Sequence, residues 1–242
     1  MFLALDTSTL TLSMALAAHP SGPVLEEVAK GPPARQSELL PAEIGALLER
    51  HRLRVADLDG IAVGLGPGSF TGLRIGVATV KGLAYGAGLR VAGVSSLEAV
   101  ALDGPQGRPL LACAAARKDE LYAGLFIREG TGVRRLEPDT AWEVAALGPW
   151  LRAHPDAVAL GPGLAPYREA LLRDGLPEDR LNATVPFPRA AALLSLARFA
   201  ERGDRRALFA LEPHYVRSSS AERNPKFPPA PGPEPTSRLR DG

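Results

Sequence analysis

A short motif occurs twice in the sequence and constrains the fold more than any other feature. Residues 63–68 read VGLGPG and residues 158–163 read VALGPG. Each motif follows a short apolar run typical of a buried strand and precedes a helical pattern. The match is only a few residues long, but the first half also shows a strand-strand-strand-helix-strand-helix order. Together these features predict two related α/β lobes with a cleft between them.

Turn-forming residues place the boundary between the lobes. Residues 103–107 read DGPQG, a cluster that favours a linker. The predicted domains are residues 1–103 and residues 104–217, and the last helix of the second domain is a candidate to pack back on the first. Helices are predicted in the second domain over residues 142–151 and 190–201. Beyond them the chain contains six prolines and few large apolar residues. A segment of this kind cannot build a core, so residues 218–242 are predicted to be a disordered tail.

The overall charge and the cysteine content exclude several classes of protein. Lys and Arg number 28 against 27 Asp and Glu, so no bulk field draws the chain to nucleic acid or to a membrane surface. The single cysteine, Cys113, excludes an intramolecular disulfide, and its apolar neighbours predict a core thiol. No apolar stretch is long enough to span a bilayer, and no basic leader is present. We therefore expect a cytoplasmic protein with no membrane association.

Polar residues follow the first predicted strand at Asp6, Thr7, Ser8 and Thr9. A carboxylate followed by hydroxyls and free backbone N–H groups in a tight turn can hold a phosphate, directly or through a metal ion. The alternative is that these residues only shape the turn. Their spacing alone favours the alternative.

A second candidate for phosphate binding is the loop GPGSFTG at residues 66–72. Gly66 and Gly68 allow the backbone to approach a ligand, and the helix that follows offers an electropositive N-terminus. The loop matches neither the dinucleotide fingerprint nor the P-loop, and Ser69 is not in a nucleophile elbow. The four histidines are scattered, so no metal site or hydrolytic triad is predicted.

The predicted helix over residues 71–86 carries little charge for a surface helix. Only Arg74 and Lys81 are charged, and they share one stripe because they are seven residues apart. The other residues are mostly apolar or glycine, and each glycine costs about 1 kcal/mol relative to alanine. Close packing of another backbone would explain that cost. The sequence leaves open whether the covering element is a partner chain or another part of the same chain.

Several segments of the sequence resemble the bacterial TsaB family. They are residues 2–8 (FLALDTS), 64–85 (GLGPGSFTGLRIGVATVKGLAY) and 94–97 (VSSL), while residues 213–217 (PHYVR) are similar to the C-terminal Pro-x-Tyr-x-Arg signature of that family. The resemblance runs from residue 1 to about residue 217 and is most specific in the first hundred residues. The family belongs to the machinery that makes N6-threonylcarbamoyladenosine (t6A) at position 37 of tRNA.

The resemblance implies a fold of two duplicated ribonuclease-H-like lobes, as in actin, hexokinase and Hsp70. It also implies a non-catalytic partner of TsaD, the subunit that binds a metal and transfers the threonylcarbamoyl group, with the ATPase TsaE in the same assembly. Catalytic relatives carry a His-x-x-x-His metal pair where this sequence has Gln36 and Leu40, so no catalytic or metal-binding residue is expected. No cofactor is expected to be required, and the Asp6–Thr9 turn with Gly66 and Gly68 would be a weak or vestigial ATP or ADP site. Contact with tRNA is expected only through the complex.

In that family the two helices of the first lobe form a bundle with those of TsaD, or with a second TsaB when TsaD is absent. We therefore expect a homodimer in isolation. The predicted partner interface consists of apolar and glycine residues of the two helices: Leu39, Leu40, Ile44, Leu47, Leu48, Gly72, Leu73, Ile75, Gly76, Val80 and Leu83. The main alternative is an autonomous ATP-binding kinase or ATPase. A peptidase finds no support, because no triad, zinc motif or activated cysteine is visible.

Overall fold

Two five-stranded sheets form the framework of the protein. The computed structural model describes residues 1–31, 36–182 and 185–216, with residues 36–39 described as backbone only. The strands of the first sheet are β1 (Phe2–Asp6), β2 (Leu12–Ala17), β3 (Val24–Lys30), β4 (Gly60–Gly64) and β5 (Arg90–Val94). The helices among them are α1 (Gln36–Arg50), α2 (Phe70–Ala87) and α3 (Ser96–Leu102). The strand order is β3-β2-β1-β4-β5, with β1 antiparallel to β2 and parallel to β4.

The second sheet repeats this arrangement. Its strands are β6 (Pro109–Ala115), β7 (Glu120–Glu129), β8 (Gly132–Glu143), β9 (Val158–Leu160) and β10 (Leu181–Asn182). The remaining helices are α4 (Val144–Ala153), α5 (Arg168–Arg173), α6 (Ala190–Leu196) and α7 (Arg205–Ala210). The order β8-β7-β6-β9-β10 and the pairing directions match those of the first sheet. The predicted fold of two duplicated α/β lobes is confirmed.

The central strand of the first sheet is buried on both faces. Leu3 and Leu5 belong to the core that holds the apolar residues of α1 and α2. Phe2 and Ala4 belong to a second core, which holds the residues of α6. This division follows from the alternation of side chains along a strand. The many alanines of the second core allow α6 to approach the sheet closely.

The last two helices return to the first sheet. Helix α6 packs on β1 and β2, and the N–H of Ala190 donates to the hydroxyl of Ser13 at 2.9 Å. Helix α7 packs on α2, where the ammonium group of Lys81 donates to the carbonyl of Phe209 at 3.0 Å. We propose that the first lobe comprises residues 1–103 together with this returning segment. The predicted tail lies outside the described residues, as does Arg217.

Three elements of the second half differ from the predictions. The helix predicted over residues 190–201 ends at Leu196, because Ala197 is extended and the N–H of Ala200 donates to the carbonyl of Val91 at 3.0 Å. A hydrogen bond to strand β5 here outweighs the local helix preference. The helix predicted from Trp142 begins two residues later, since β8 continues to Glu143. Strand β8 was not predicted, because it is an edge strand with few buried positions.

Within the described parts of the chain, no helix combines the length and the apolar character that a membrane span requires.

Candidate functional site

The end of β1 carries a carboxylate that lies wholly inside the protein. Asp6 has no exposed surface. Its Oδ1 accepts hydrogen bonds from the N–H of Ser8 at 2.8 Å and from the hydroxyl of Ser8 at 2.6 Å. Its Oδ2 accepts one from the hydroxyl of Ser96 at 2.6 Å. Burial raises the pKa of Asp6 above its ordinary value, and the hydrogen bonds from Ser8 and Ser96 oppose that rise.

Ser96 ties this carboxylate to the glycine-rich loop. Its hydroxyl accepts a hydrogen bond from the N–H of Gly66 at 3.0 Å, and its own N–H donates to the carbonyl of Gly66 at 2.9 Å. Gly64 leaves the necessary space, since a Cβ there would lie 1.9 Å from Oδ2 of Asp6. We call Asp6, Ser8, Gly66 and Ser96 the Asp6 cluster. It joins the ends of β1 and β4 to the start of α3.

Ser96 was not among the predicted site residues. Its sequence signal is its position two residues after the end of strand β5, because the carboxyl ends of parallel strands meet at one edge of a sheet.

The rest of the glycine-rich loop also lies directly against the β1–β2 turn. A Cβ at Gly68 would lie 2.2 Å from the carbonyl oxygen of Ser8, to which the N–H of Ser69 donates at 2.7 Å. The hydroxyl of Thr7 donates to the carbonyl of Gly72 at 2.8 Å. The side chain of Ser69 caps the N-terminus of α2 by accepting from the N–H of Gly72 at 3.2 Å.

Five of the six residues predicted to bind phosphate lie at this junction: Asp6, Thr7, Ser8, Gly66 and Gly68. Thr9 does not join them, because its hydroxyl donates to the carbonyl of Thr11 at 3.0 Å. The carboxylate of Asp6, the hydroxyls of Thr7, Ser8 and Ser96, and the N–H groups of Ser8, Gly66 and Ser69 are all hydrogen-bonded within this junction. A phosphate bound to these groups would have to displace hydrogen bonds, whereas an anion cradle presents free N–H groups to its ligand.

The corresponding loop of the second lobe also packs on its own sheet. Gly161 has a φ of 112°, and a Cβ there would lie 2.4 Å from the carbonyl oxygen of Cys113. A Cβ at Gly163 would lie 2.7 Å from the carbonyl carbon of Ala114. The thiol of Cys113 is buried, and burial raises its pKa to about 12. The thiol is therefore protonated at neutral pH and unsuited to nucleophilic chemistry, and the prediction of a core cysteine is confirmed.

Across residues 1–31, 36–182 and 185–216, no three His, Cys, Asp or Glu side chains are grouped so that they could hold a metal ion.

Most of the residues predicted to face a partner are covered by the chain itself. Six of them are at most 2% exposed: Leu40, Ile44, Leu47, Leu48, Leu73 and Val80. Gly72 and Gly76 are buried as well. The prediction of a surface at these eight positions was wrong, because α1 and α7 pack on the sides of α2 that the sheet leaves free. Ile75 and Leu83 are partly exposed, and the side chain of Leu39 lies outside the described residues.

The close approach at Gly76 takes place within one lobe. A Cβ at this position would lie 2.3 Å from the hydroxyl oxygen of Thr7. The glycine is therefore required by the β1–β2 turn, and a partner chain is not needed to explain it.

Small residues occupy the outer sides of α1 and α2. We call the following exposed residues the small-residue face: Ala42, Gly45, Thr71, Ala78, Gly82 and Gly86. A Cβ at Gly45, Gly82 or Gly86 would meet no atom within 4 Å. Packing within the protomer thus gives no reason for these three glycines, each of which costs about 1 kcal/mol in a helix.

A cluster of charges joins the two lobes beside the glycine-rich loop. The N–H of His214 donates to the carbonyl of Leu65 at 2.7 Å, and its ring Nδ1 lies 3.3 Å from Oδ2 of Asp139 on β8. The side chain of Asp139 is fully buried and also pairs with Arg135. Arg135 reaches Glu98 of α3 at 3.2 Å. We call Glu98, Arg135, Asp139 and His214 the inter-lobe clamp.

Comparison with known proteins identifies the family of the chain. Residues 26–155 match the family model described as TsaD, tRNA N6-adenosine threonylcarbamoyltransferase. A Bacillus subtilis protein named tRNA threonylcarbamoyladenosine biosynthesis protein TsaB is 30% identical over 228 residues, which cover 91% of this chain and 95% of that protein. The chain belongs to the TsaB family. The family resemblance predicted from the sequence motifs is therefore confirmed.

Two further comparisons agree. A Haemophilus influenzae protein with the same name is 37% identical over 130 residues, which cover 52% of this chain and 54% of that protein. The chain thus matches about half the length of that relative. A crystal structure of an uncharacterized protein from Pseudomonas aeruginosa, described as similar to peptidase YEAZ, aligns with a TM-score of 0.72 at 30% identity. The alignment covers 89% of this chain and 99% of that one, so it supports the same two-lobed fold.

Proposed function

We propose that this TsaB-family chain is a non-catalytic subunit of the assembly that forms t6A at position 37 of tRNA. In that role it binds and activates TsaD, the catalytic subunit. The name of the relatives links the family to t6A biosynthesis, and the match to the TsaD family model makes TsaD a structural relative of the chain. The assembly would work in the cytoplasm, with TsaE as a further member.

The small-residue face carries this proposal. It lies on two adjacent helices and includes glycines that the protomer itself does not require. The distance between packed helices depends on the side chains at their contact, so small residues let a partner helix approach closely. We place TsaD on this face, together with the partly exposed Ile75 and Leu83. When TsaD is absent, a second copy of the chain would occupy the same face.

The state of the candidate nucleotide site supports a non-catalytic role. Asp6 is buried and is held by three donors from its own chain. A ligand at its carboxylate would have to displace at least one of them. The corresponding loop of the second lobe, at Gly161 and Gly163, is packed against the main chain of β6.

Substitution of Gly45 by glutamate tests the proposed interface. The residue is exposed on α1, and a side chain there meets open space, so the variant should fold. Ala146→Glu, at an exposed position of α4 in the second lobe, is the matched control. We expect Gly45→Glu to abolish copurification with tagged TsaD and to lower t6A in tRNA, whereas Ala146→Glu leaves both unchanged. Undiminished association and modification in Gly45→Glu would reject the interface.

Calorimetry with ATP and Mg²⁺ tests the alternative of an autonomous kinase or ATPase. That alternative rests on the convergence of the β1–β2 turn and the glycine-rich loop. Micromolar affinity for ATP together with turnover by the isolated chain would favour it over the proposed role. We expect neither.

A further inference from the structure

A ridge of exposed aromatic and basic side chains runs along the side of α2 that faces α7. The aromatic–basic ridge consists of Phe70, Arg74, Tyr85, Arg205, Phe209 and Tyr215. Its four rings are 40%, 56%, 59% and 43% exposed for Phe70, Tyr85, Phe209 and Tyr215 respectively. Large apolar groups with this exposure, gathered on one side of a protein, mark an interaction surface.

The rings form two pairs, each with a guanidinium group over one ring. The rings of Phe70 and Tyr215 lie 5.1 Å apart between centroids, and the guanidinium of Arg74 lies 4.7 Å from the Phe70 centroid. The rings of Tyr85 and Phe209 lie 6.2 Å apart, with a guanidinium 5.2 Å from the Tyr85 centroid. Because Phe70 and Tyr85 are fifteen residues apart on one helix, the two pairs are separated by about 22 Å.

The two helices that carry the ridge have only positive charges. Neither α2 nor α7 contains an acidic residue, whereas the whole chain is nearly neutral. In the part of the chain that the structure describes, Arg74, Lys81 and Arg205 make no ion pair. Arginines elsewhere do pair with carboxylates, as Arg50 does with Glu26 at 2.6 Å.

Three carboxylates do lie close to α7 along the chain. Asp204 caps the helix by accepting from the N–H of Ala207 at 3.0 Å, and Glu201 and Glu212 flank the helix at its two ends. None of the three lies on the ridge itself, so its cations are available to an anionic ligand.

We propose that the aromatic–basic ridge docks a single-stranded segment of RNA. Basic side chains bind the phosphates of such a segment, and exposed rings stack on its unpaired bases. The span of the ridge suits about four nucleotides, the short end of known single-strand sites. The proposal rests on the proposed role in tRNA modification only for the identity of the RNA. It departs from the expectation that tRNA meets the chain only through the complex.

The centre of the ridge favours RNA over a protein partner. Between the two pairs of rings, this side of α2 carries Arg74, Ala78 and Lys81, with no large apolar residue. A protein interface is typically depleted of charge at its centre, and the fully buried core is apolar. The ridge borders the small-residue face at Ala78. Successive residues point about 100° apart around a helix, so Lys81 on the ridge side and Gly82 of the face lie on different sides of α2.

Fluorescence anisotropy with a labelled single-stranded RNA of about eight nucleotides tests the proposal on the full chain. We expect measurable binding whose affinity falls roughly 20-fold between 50 and 200 mM salt, as about three neutralised phosphates require. Tyr85→Ala and Phe209→Ala should each weaken binding on the order of tenfold. The double variant Arg74→Glu/Arg205→Glu should abolish it. Arg173→Glu, at an exposed position of α5, is the control and should bind as the parent chain does.

Three outcomes would overturn the proposal. The first is that the chain does not bind the RNA. The second is that the ridge variants and Arg173→Glu lose the same amount of RNA affinity. The third is that the ridge binds an acidic peptide in preference to RNA. Melting temperatures of the variants exclude misfolding as the cause of a loss. Copurification with TsaD separates this proposal from the proposed function: if Tyr85→Ala and Phe209→Ala bind TsaD normally but not RNA, the ridge and the small-residue face act independently. If the chain proves dispensable for t6A, its RNA affinity still stands as a separate measurement.

Discussion

The hydroxyl of Thr7 occupies the space that a side chain at residue 76 would need, since a Cβ on Gly76 would lie 2.3 Å from that oxygen. The same hydroxyl donates to the carbonyl of Gly72 one turn earlier, at 2.8 Å. Strand β1 and helix α2 are therefore joined by a fitted contact that tolerates no added methyl group.

Two glycines of α2 should respond oppositely to alanine. Gly76→Ala should destabilise the protein by about 1–3 kcal/mol, because the new methyl group collides with the side chain of Thr7. Gly82→Ala should stabilise it by up to about 1 kcal/mol, because the methyl group meets open space and alanine favours the helix. Urea denaturation of both variants measures the difference. Equal changes in stability at the two positions would contradict the close contact between residue 76 and Thr7.

The carboxyl group of Asp6 should make stability depend on pH in a defined direction. Burial raises its folded pKa above the unfolded value of about 3.8, so the folded state holds this proton more tightly than the unfolded chain does. The contribution of Asp6 to the free energy of unfolding should therefore fall as pH rises from the unfolded pKa to the folded pKa, and stay at the lower level above it. Asp6→Asn should remove this dependence, as urea titrations across that window would show.

The matched variant Asp6→Ala should be clearly less stable than Asp6→Asn. It leaves the N–H and hydroxyl of Ser8 and the hydroxyl of Ser96 without their acceptor, at a cost of roughly 1–3 kcal/mol for an orphaned buried group. Equal stability of the two variants would argue against the hydrogen-bonded junction.

The sequence predicts most of the first lobe because its local signals agree with its packing. Ser69 precedes an apolar helix and caps it, and the apolar run Phe2–Leu5 alternates between two buried faces. In the second lobe, strand β8 is polar and the chain beyond Leu196 is extended by a hydrogen bond to Val91. Local periodicity indicates neither property, so strand β8 was not predicted and the helix from Ala190 was predicted to be too long.

Most members of the candidate site were predictable from the sequence, but the hydrogen bonds among them were not. The turn at Asp6 and the loop at Gly66 were expected to meet, and they do. Their polar groups hydrogen-bond to one another only with the help of Ser96, which is ninety residues from Asp6 along the chain. The helix surface shows the same limit. A glycine spacing cannot distinguish Gly76, packed on Thr7, from Gly82, which faces open space.

Substitutions at two residues of the inter-lobe clamp should differ in their effect on the free energy of unfolding. Asp139→Ala should cost roughly 1–3 kcal/mol, because it removes the buried acceptor of Arg135. His214→Ala should change the global free energy of unfolding by less than about 1 kcal/mol, because the ring is half exposed and its pair is correspondingly weak. Hydrogen exchange should nevertheless be faster at the backbone N–H of residue 214 in both variants. Protection unchanged in both would mean that the carbonyl of Leu65 alone holds the segment.

Arg180 should be essential to the second lobe although it lies far from any proposed site. Its buried guanidinium donates to three carbonyls between the end of α4 and the start of β9, those of Leu151 at 2.7 Å, His154 at 2.5 Å and Ala157 at 3.0 Å. Backbone N–H groups also donate to two of these carbonyls, that of His154 to Leu151 at 3.2 Å and that of Ala157 to His154 at 3.0 Å. Arg180→Leu keeps the apolar bulk but removes the three charge-assisted hydrogen bonds from the arginine, and should cost about 2–3 kcal/mol.

Arg180→Lys provides the control for charge. A lysine restores the favourable charge at the helix C-terminus but cannot reach three carbonyls in the fork geometry of arginine, so it should recover only part of the loss. Thermal unfolding of the two variants measures this order. If Arg180→Lys were as stable as the parent chain, charge alone would explain the residue. If Arg180→Leu were as stable as the parent chain, the three hydrogen bonds would contribute nothing to stability.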